Sequence, residues 1–212
     1  MSIIELKNIT KKYKNGQVIF NNFSFSVDKG EFVGIVGQSG SGKTTLLNII
    51  GMITEIQSGK ITIDKQTKLK PNSRNAMLLR RNTLGYLFQN YGLVDDETVD
   101  WNLRLALEYK KLTANEKKEK IKALLTQLGL PEYEKKRIFQ LSGGEQQRVA
   151  IAKLMLQESS IILADEPTSG LDEKNKEIVM NLLSDLNKKG TTIILVTHDL
   201  TLTNYFTRTI QI

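Results

Sequence analysis

Apolar positions change their period along the chain, and the change marks out regions. Phe23, Phe25 and Val27 alternate with Ser24, Ser26 and Asp28, the two-residue period of a strand buried on one face. Residues 3–9 read as an earlier strand, Thr10 to Gly16 as a polar turn, and Gly59 to Ile63 as a further short strand. Asp28-Lys29-Gly30 turns the chain into the continuous apolar run Phe32-Val33-Gly34-Ile35-Val36. This predicts an antiparallel, β-rich N-terminal region with the 32–36 strand embedded beside it. Residues 65–82 are polar and basic, a loop plus a short helix, and Thr83 to Phe88 reads as a buried strand.

From Thr98 to Gln140 the period becomes helical. Val99, Leu103, Ala106 and Leu107 share one face. Thr113 and Glu116 form a capping box before Ile121, Leu124, Leu125 and Leu128, and Gly129 and Pro131 end that helix. The remainder alternates: helix 143–157, strand 161–164, helix 173–188, strand 192–196, a short helix after His198 and a strand near 208–211. Such alternation predicts a parallel sheet covered on both faces, with ligands beyond the carboxyl ends of its strands. The expected fold is α/β: one domain over 1–212, with 1–88 and 141–212 as core and β subdomain and about 89–140 as an inserted helical subdomain.

The strand 32–36 runs into Gly37-Gln38-Ser39-Gly40-Ser41-Gly42-Lys43-Thr44-Thr45, and an apolar helix follows. Strand, G-x-x-x-x-G-K-[ST] loop and helix form the phosphate-binding arrangement. Glycines let backbone N–H groups close around phosphate oxygens, and the helix directs its free amides and dipole at the same anion. Lys43 is placed to reach the β- and γ-phosphates, and the Thr44 hydroxyl to ligate Mg²⁺.

Ile161-Ile162-Leu163-Ala164-Asp165-Glu166 is an apolar strand ending in two carboxylates. Buried charge is costly, so the pair implies a metal or a reacting group. Asp165 is placed to hold Mg²⁺ and Glu166 to polarise an attacking water. Leu141-Ser142-Gly143-Gly144-Glu145 opens a helix. Ser142 and Glu145 explain it as a capping box, but two glycines in a first turn weaken a helix. They suit a helix end that approaches a second anion, and one lysine loop with two anion-binding helix ends implies two chains sharing nucleotides.

Composition narrows the setting. Hydrophobic residues are 40% and charged residues 25% of 212, as in ordinary soluble domains. No apolar run approaches the ~18–20 residues of a membrane span, and the first residues do not read as a signal peptide, so a cytoplasmic protein without membrane insertion is expected. With no cysteine, disulfides and thiolate metal sites are excluded. The net charge of +7 is scattered, as at Lys11-Lys12, Lys117-Lys118, Lys135-Lys136 and Lys188-Lys189. It reads as solubility, with some help from anionic lipids, and no nucleic-acid partner is expected.

With these motifs in this order the chain resembles an ATP-binding cassette (ABC) transporter nucleotide-binding subunit, a P-loop ATPase. The likeness runs from Tyr13 to His198. It implies ATP and Mg²⁺ as cofactors, and a head-to-tail homodimer in which Ser142, Gly143 and Gly144 contact the γ-phosphate held by the partner's Lys43. It also implies that Tyr13 stacks on adenine and that Gln89 touches Mg²⁺ and the lytic water. His198, the sole histidine, would hydrogen-bond the γ-phosphate, and Ser169-Gly170-Leu171-Asp172 would cross between monomers. Asp172 also reads as the N-cap of the helix at Glu173. Lys153 stands where the family usually has arginine.

The compact form is similar to the ATPase subunits of macrolide-export, lipoprotein-release and bacitracin-resistance systems, and Tyr86 to Val99 to bacteriocin-export members. Such subunits attach to the inner membrane face through a separate permease. Tyr91, Leu93 and Val94 read either as a groove for a permease helix or as a cap on the helical core, with Asp95, Asp96 and Glu97 as an acidic rim for a basic permease loop. A non-transport ATPase regulating a membrane-linked partner would carry the same core.

Overall fold

The protein is described by a computed structural model covering all residues 1–212. Two sheets organise it. The first is antiparallel, with order β2-β1-β4, built from β1 (Ser2–Lys12), β2 (Val18–Asp28) and β4 (Ser58–Ile63). β1 runs on through Lys12, beyond the expected turn at Thr10, because Lys11 is held: its Nζ donates to Thr54 Oγ1 and to the Glu55 carbonyl.

The second sheet is parallel, with order β5-β6-β7-β3-β8. It comprises β3 (Phe32–Val36), β5 (Leu84–Leu87), β6 (Ile161–Asp165), β7 (Thr192–Thr197) and β8 (Arg208–Gln211). The apolar run 32–36 thus leaves the N-terminal sheet and sits between β7 and β8. A fully buried strand needs two hydrogen-bonded neighbours, and β7 and β8 supply them.

Six α-helices, α1 (Lys43–Ile50), α2 (Arg74–Asn82), α3 (Val99–Ala106), α4 (Ala114–Gln127), α5 (Gly143–Gln157) and α6 (Glu173–Lys188), and two short 3₁₀ helices, Ile138–Gln140 and Leu200–Tyr205, complete the chain. Strand alternation distributes the core. Ile161 and Leu163 face a cluster shared with α1 and the antiparallel sheet, whereas Ile162 and Ala164 face α5 and α6. A third cluster joins Val99, Leu103, Ile121 and Leu125 of α3 and α4 to Val149, Ala152 and Leu156 of α5. One helix, α5, therefore belongs both to the sheet's cover and to the helical layer.

Candidate active site: a phosphate-loop cleft with a capped serine-glycine turn outside it

β3 delivers the chain into the loop 37–42 and α1 takes it out. The cap residue Gly42 has φ 104° and offers no side-chain cap; a side chain there is disfavoured by that backbone and would press on Ile19. The amides of Gly40, Gly42, Lys43, Thr44 and Thr45 donate to no protein acceptor, which leaves a cup of N–H groups at the positive end of α1. Lys43 is almost fully buried, and its Nζ donates to the carbonyls of Gly37 (2.7 Å) and Gln38 (2.8 Å). The ammonium ties the loop from beneath. Ser41 Oγ in the same loop is buried without a partner.

An open cleft of about 590 Å³ lies over this cup. Tyr13, Ser39, Gly40, Gly42, Lys43, Thr44 and Thr45 line it together with Gln89, Glu166 and His198. The Tyr13 hydroxyl lies 2.8 Å from Thr45 Oγ1, and the ring stays 43% exposed, leaving a face open for a planar ring. Gln17 and Ile19 also line the cleft. Gln17 precedes β2 and Ile19 lies at its start; neither follows a chemical motif, so the sequence does not single them out.

The carboxylates stand at the carboxyl end of β6. Asp165 accepts a 3.0 Å hydrogen bond from Thr44 Oγ1, and burial, with the Glu166 charge adding to it, pushes the Asp165 carboxyl above its ordinary value. Burial and the Asp165 charge likewise push the Tyr86 phenol up. Glu166 adopts φ 46°, uncommon for a residue with a side chain, while its amide donates to Val196 O. Its carboxylate lies 2.9 Å from His198 Nδ1 and accepts from Thr197 Oγ1 at 3.3 Å. Thr197 is a residue sequence reasoning passed over; its signal was a hydroxyl ending an apolar strand just before His198.

Ser142, Gly143, Gly144 and Asp172 do not line this cleft. Ser142 caps α5: its Oγ accepts from the Glu145 amide, and Glu145 Oε2 accepts from the Ser142 amide (2.8 Å) and hydroxyl (2.9 Å). The Tyr133 hydroxyl donates to Glu145 Oε1, and this bond with those from Ser142 holds the carboxyl below its ordinary range. Gly144 has a packing reason for lacking a side chain. A Cβ there would lie 2.4 Å from Asn175 Oδ1, and Asn175 is fixed by Arg148 and Asp172. Asp172 is the N-cap of α6, accepting from the Asn175 amide.

Of the residues read as a groove or a core cap, Tyr91 and Leu93 pack inward. Val94 stays exposed, as do Trp101, Leu105 and Tyr109, each 40% exposed or more. Leu105 and Tyr109 line a separate cleft of about 460 Å³ with Arg81, Lys110, Lys153 and Gln157. No helix is long and apolar enough to cross a membrane.

The ABC transporter family profile matches residues 20–169. The chain is similar to the macrolide export ATP-binding/permease protein MacB of Hyphomonas neptunium, at 41% identity over 93% of this chain and 31% of that protein. It thus spans about a third of the MacB relatives. It is 39% identical to the bacitracin export ATP-binding protein BceA of Halalkalibacterium halodurans, over 100% of this chain and 85% of that one. Among solved structures, a dimeric post-hydrolysis state of the ATP-binding cassette MJ0796 bound to ADP and Pi matches with a TM-score of 0.89. The identity is 37%, over 99% of this chain and 94% of that one. The loop, the carboxylate pair and the serine-glycine turn described above thus sit in a chain that belongs to the ABC transporter family, as one of its ATP-binding cassettes.

Proposed function

We propose that the chain is the ATP-hydrolysing subunit of an export-type ABC transporter, pairing head-to-tail with a second copy around two MgATP and driving a separate permease. The observation that carries this reading is that one cleft is lined both by the five free amides of the loop and the start of α1 and by the Glu166–His198 pair. In it the amides and Lys43 bind the phosphates and Tyr13 stacks on the adenine. Glu166 accepts a proton from the attacking water, His198 orients Glu166 and reaches the γ-phosphate, and Gln89 closes the side of the cleft.

The residues fit Mg²⁺. The Thr44 hydroxyl, the Gln89 amide and the Asp165 carboxylate are hard oxygen donors, a sparse set of the kind that cation takes beside phosphates. A carboxyl pushed up by burial, as Asp165 is, favours a cation at that position. When bound, the ion would neutralise charge on the phosphates.

Ser142, Gly143, Gly144 and Asp172 then serve the nucleotide held by the other copy, which accords with their standing outside the cleft of their own chain. Residues 89–140, braced by α5, carry the surface for the permease, with Val94, Trp101, Leu105 and Tyr109 as its apolar part. By likeness to MacB and BceA, the cargo is a peptide, bacteriocin or other antibiotic, and the subunit sits on the inner membrane face through its permease.

Glu166→Gln is the test. It should keep ATP binding, lower turnover by about 10²–10⁴-fold, the usual worth of a positioned base, and accumulate an ATP-bound dimer. Near-normal turnover would remove Glu166 from this role, and a monomeric ATP-bound variant would remove the shared site.

A further inference from the structure

We infer that Tyr91 is a positioning residue that passes the state of a chain's own nucleotide cleft to its Ser142–Gly144 turn. The inference rests on the function proposed above, and concerns how the two half-sites of one chain are linked.

Gln89 lines the cleft. Two residues later Tyr91 has φ 64°, followed by Gly92 at φ 64°. A bulky residue in the left-handed region is rare, and persists where its surroundings over-determine it. The loop is closed tightly, with the Tyr91 amide donating to Phe88 O (2.9 Å) and that of Gly92 to Asn90 O (2.7 Å). This conformation turns the half-buried ring against the cluster beneath α5 and α6 and sets its hydroxyl on Gly143. A Cβ added at Gly143 would lie 2.9 Å from that oxygen and 3.8 Å from Leu171 Cδ2. The absent side chain is what lets the phenol rest on the backbone of the turn.

A second attachment follows at once. Lys153 Nζ, from α5, donates to Gly92 O at 2.9 Å. Tyr91 therefore rests against α5 at Gly143 while Gly92 is bonded to Lys153, ten residues or roughly 15 Å further along its axis. A helix held at two points follows its holder as a rigid body. Movement of Gln89 towards or away from a γ-phosphate must carry the Ser142–Gly144 turn with it, or else lift Tyr91 off Gly143.

The experiment is backbone hydrogen exchange across residues 142–149 in the full chain, diluted until monomeric, with Mg²⁺ and β,γ-imido-ATP. In a monomer the nucleotide reaches only its own cleft, so a response at 142–149 has travelled through the chain. Binding is measured in parallel by equilibrium dialysis. The wild type should change exchange there by about fivefold, the lower end of ordinary coupling between sites. Tyr91→Ala should abolish the change with nucleotide affinity retained. If that variant does not fold, Tyr91→Leu fills the apolar space without the hydroxyl and carries the same comparison. A variant that binds nucleotide and responds like the wild type overturns the inference, as does a wild type that binds without responding. A wild type that binds no nucleotide overturns the proposed function, and this inference with it.

Discussion

The N-termini of α1 and α5, both proposed to meet phosphate, are built in opposite ways. α1 begins at a glycine with no cap, and its first amides are free. α5 begins at Ser142, and its first turn is satisfied from within: Glu145 accepts from the Ser142 amide and hydroxyl, and Tyr133 steadies Glu145. An uncapped end binds phosphate as soon as phosphate arrives. A capped end is comfortable without a ligand and gains from one only when another surface presents it. Under the proposed function the difference implies an order of events: nucleotide loads first on the α1 side, and the α5 side is recruited as the second copy docks.

Lys43→Ala gives the largest effect expected from breaking this asymmetry. Removing the ammonium should weaken nucleotide binding to the monomer by about 100-fold, as loss of charge-assisted hydrogen bonds does; equilibrium dialysis measures it. Ser142→Ala should leave that affinity within about twofold and instead lower turnover of the dimer by about 10–100-fold, the worth of one donor to a charged group. A serine variant that weakened monomer binding as much as the lysine variant would erase the distinction. Losing the cap also costs about 1 kcal/mol, so turnover must be read well below the melting temperature.

Two smaller effects have opposite sign and sharpen the contrast. Burial raises the Asp165 carboxyl, so its ionised form costs native stability above its ordinary value of 3.8. Asp165→Asn should therefore raise the Tm of the nucleotide-free chain at neutral pH. The gain should shrink as pH falls through 3.8 and vanish well below it, where the carboxyl is neutral in both states. Glu145 is held down by Tyr133 and Ser142. Its contribution is present above its ordinary 4.5 and is lost as pH falls through the lowered native value. Glu145→Gln should flatten that acid limb in denaturant titrations at successive pH values, by less than the Asp165 change because the group is partly solvated.

Much of this was readable in the residues because local chemistry set it. α5 and α6 start and stop where Ser142, Asp172 and the apolar period place them, and the loop 37–45 carries its own signature. What escaped was set by distant partners. β1 passes its expected end because Lys11 finds Thr54 and Glu55 more than 40 residues away. Gly144 looked like an approach for a ligand, and the fold adds the Asn175 side chain as a reason no local pattern contains. Gln17 and Ile19 reach the cleft only because the start of β2 lies against Gly42 of the phosphate loop. Tyr91 read as part of a groove or a cap; its contact with Gly143 needed both elements in view.

Trp101 is the only tryptophan in the chain and stands 40% exposed on α3. The molecule therefore carries one indole, on the face proposed for the permease and outside the lining of the phosphate-loop cleft. Its emission is an unlabelled optical gauge of docking, blue-shifting when a partner covers it. With no cysteine to react elsewhere, a single engineered thiol would complete a two-point ruler.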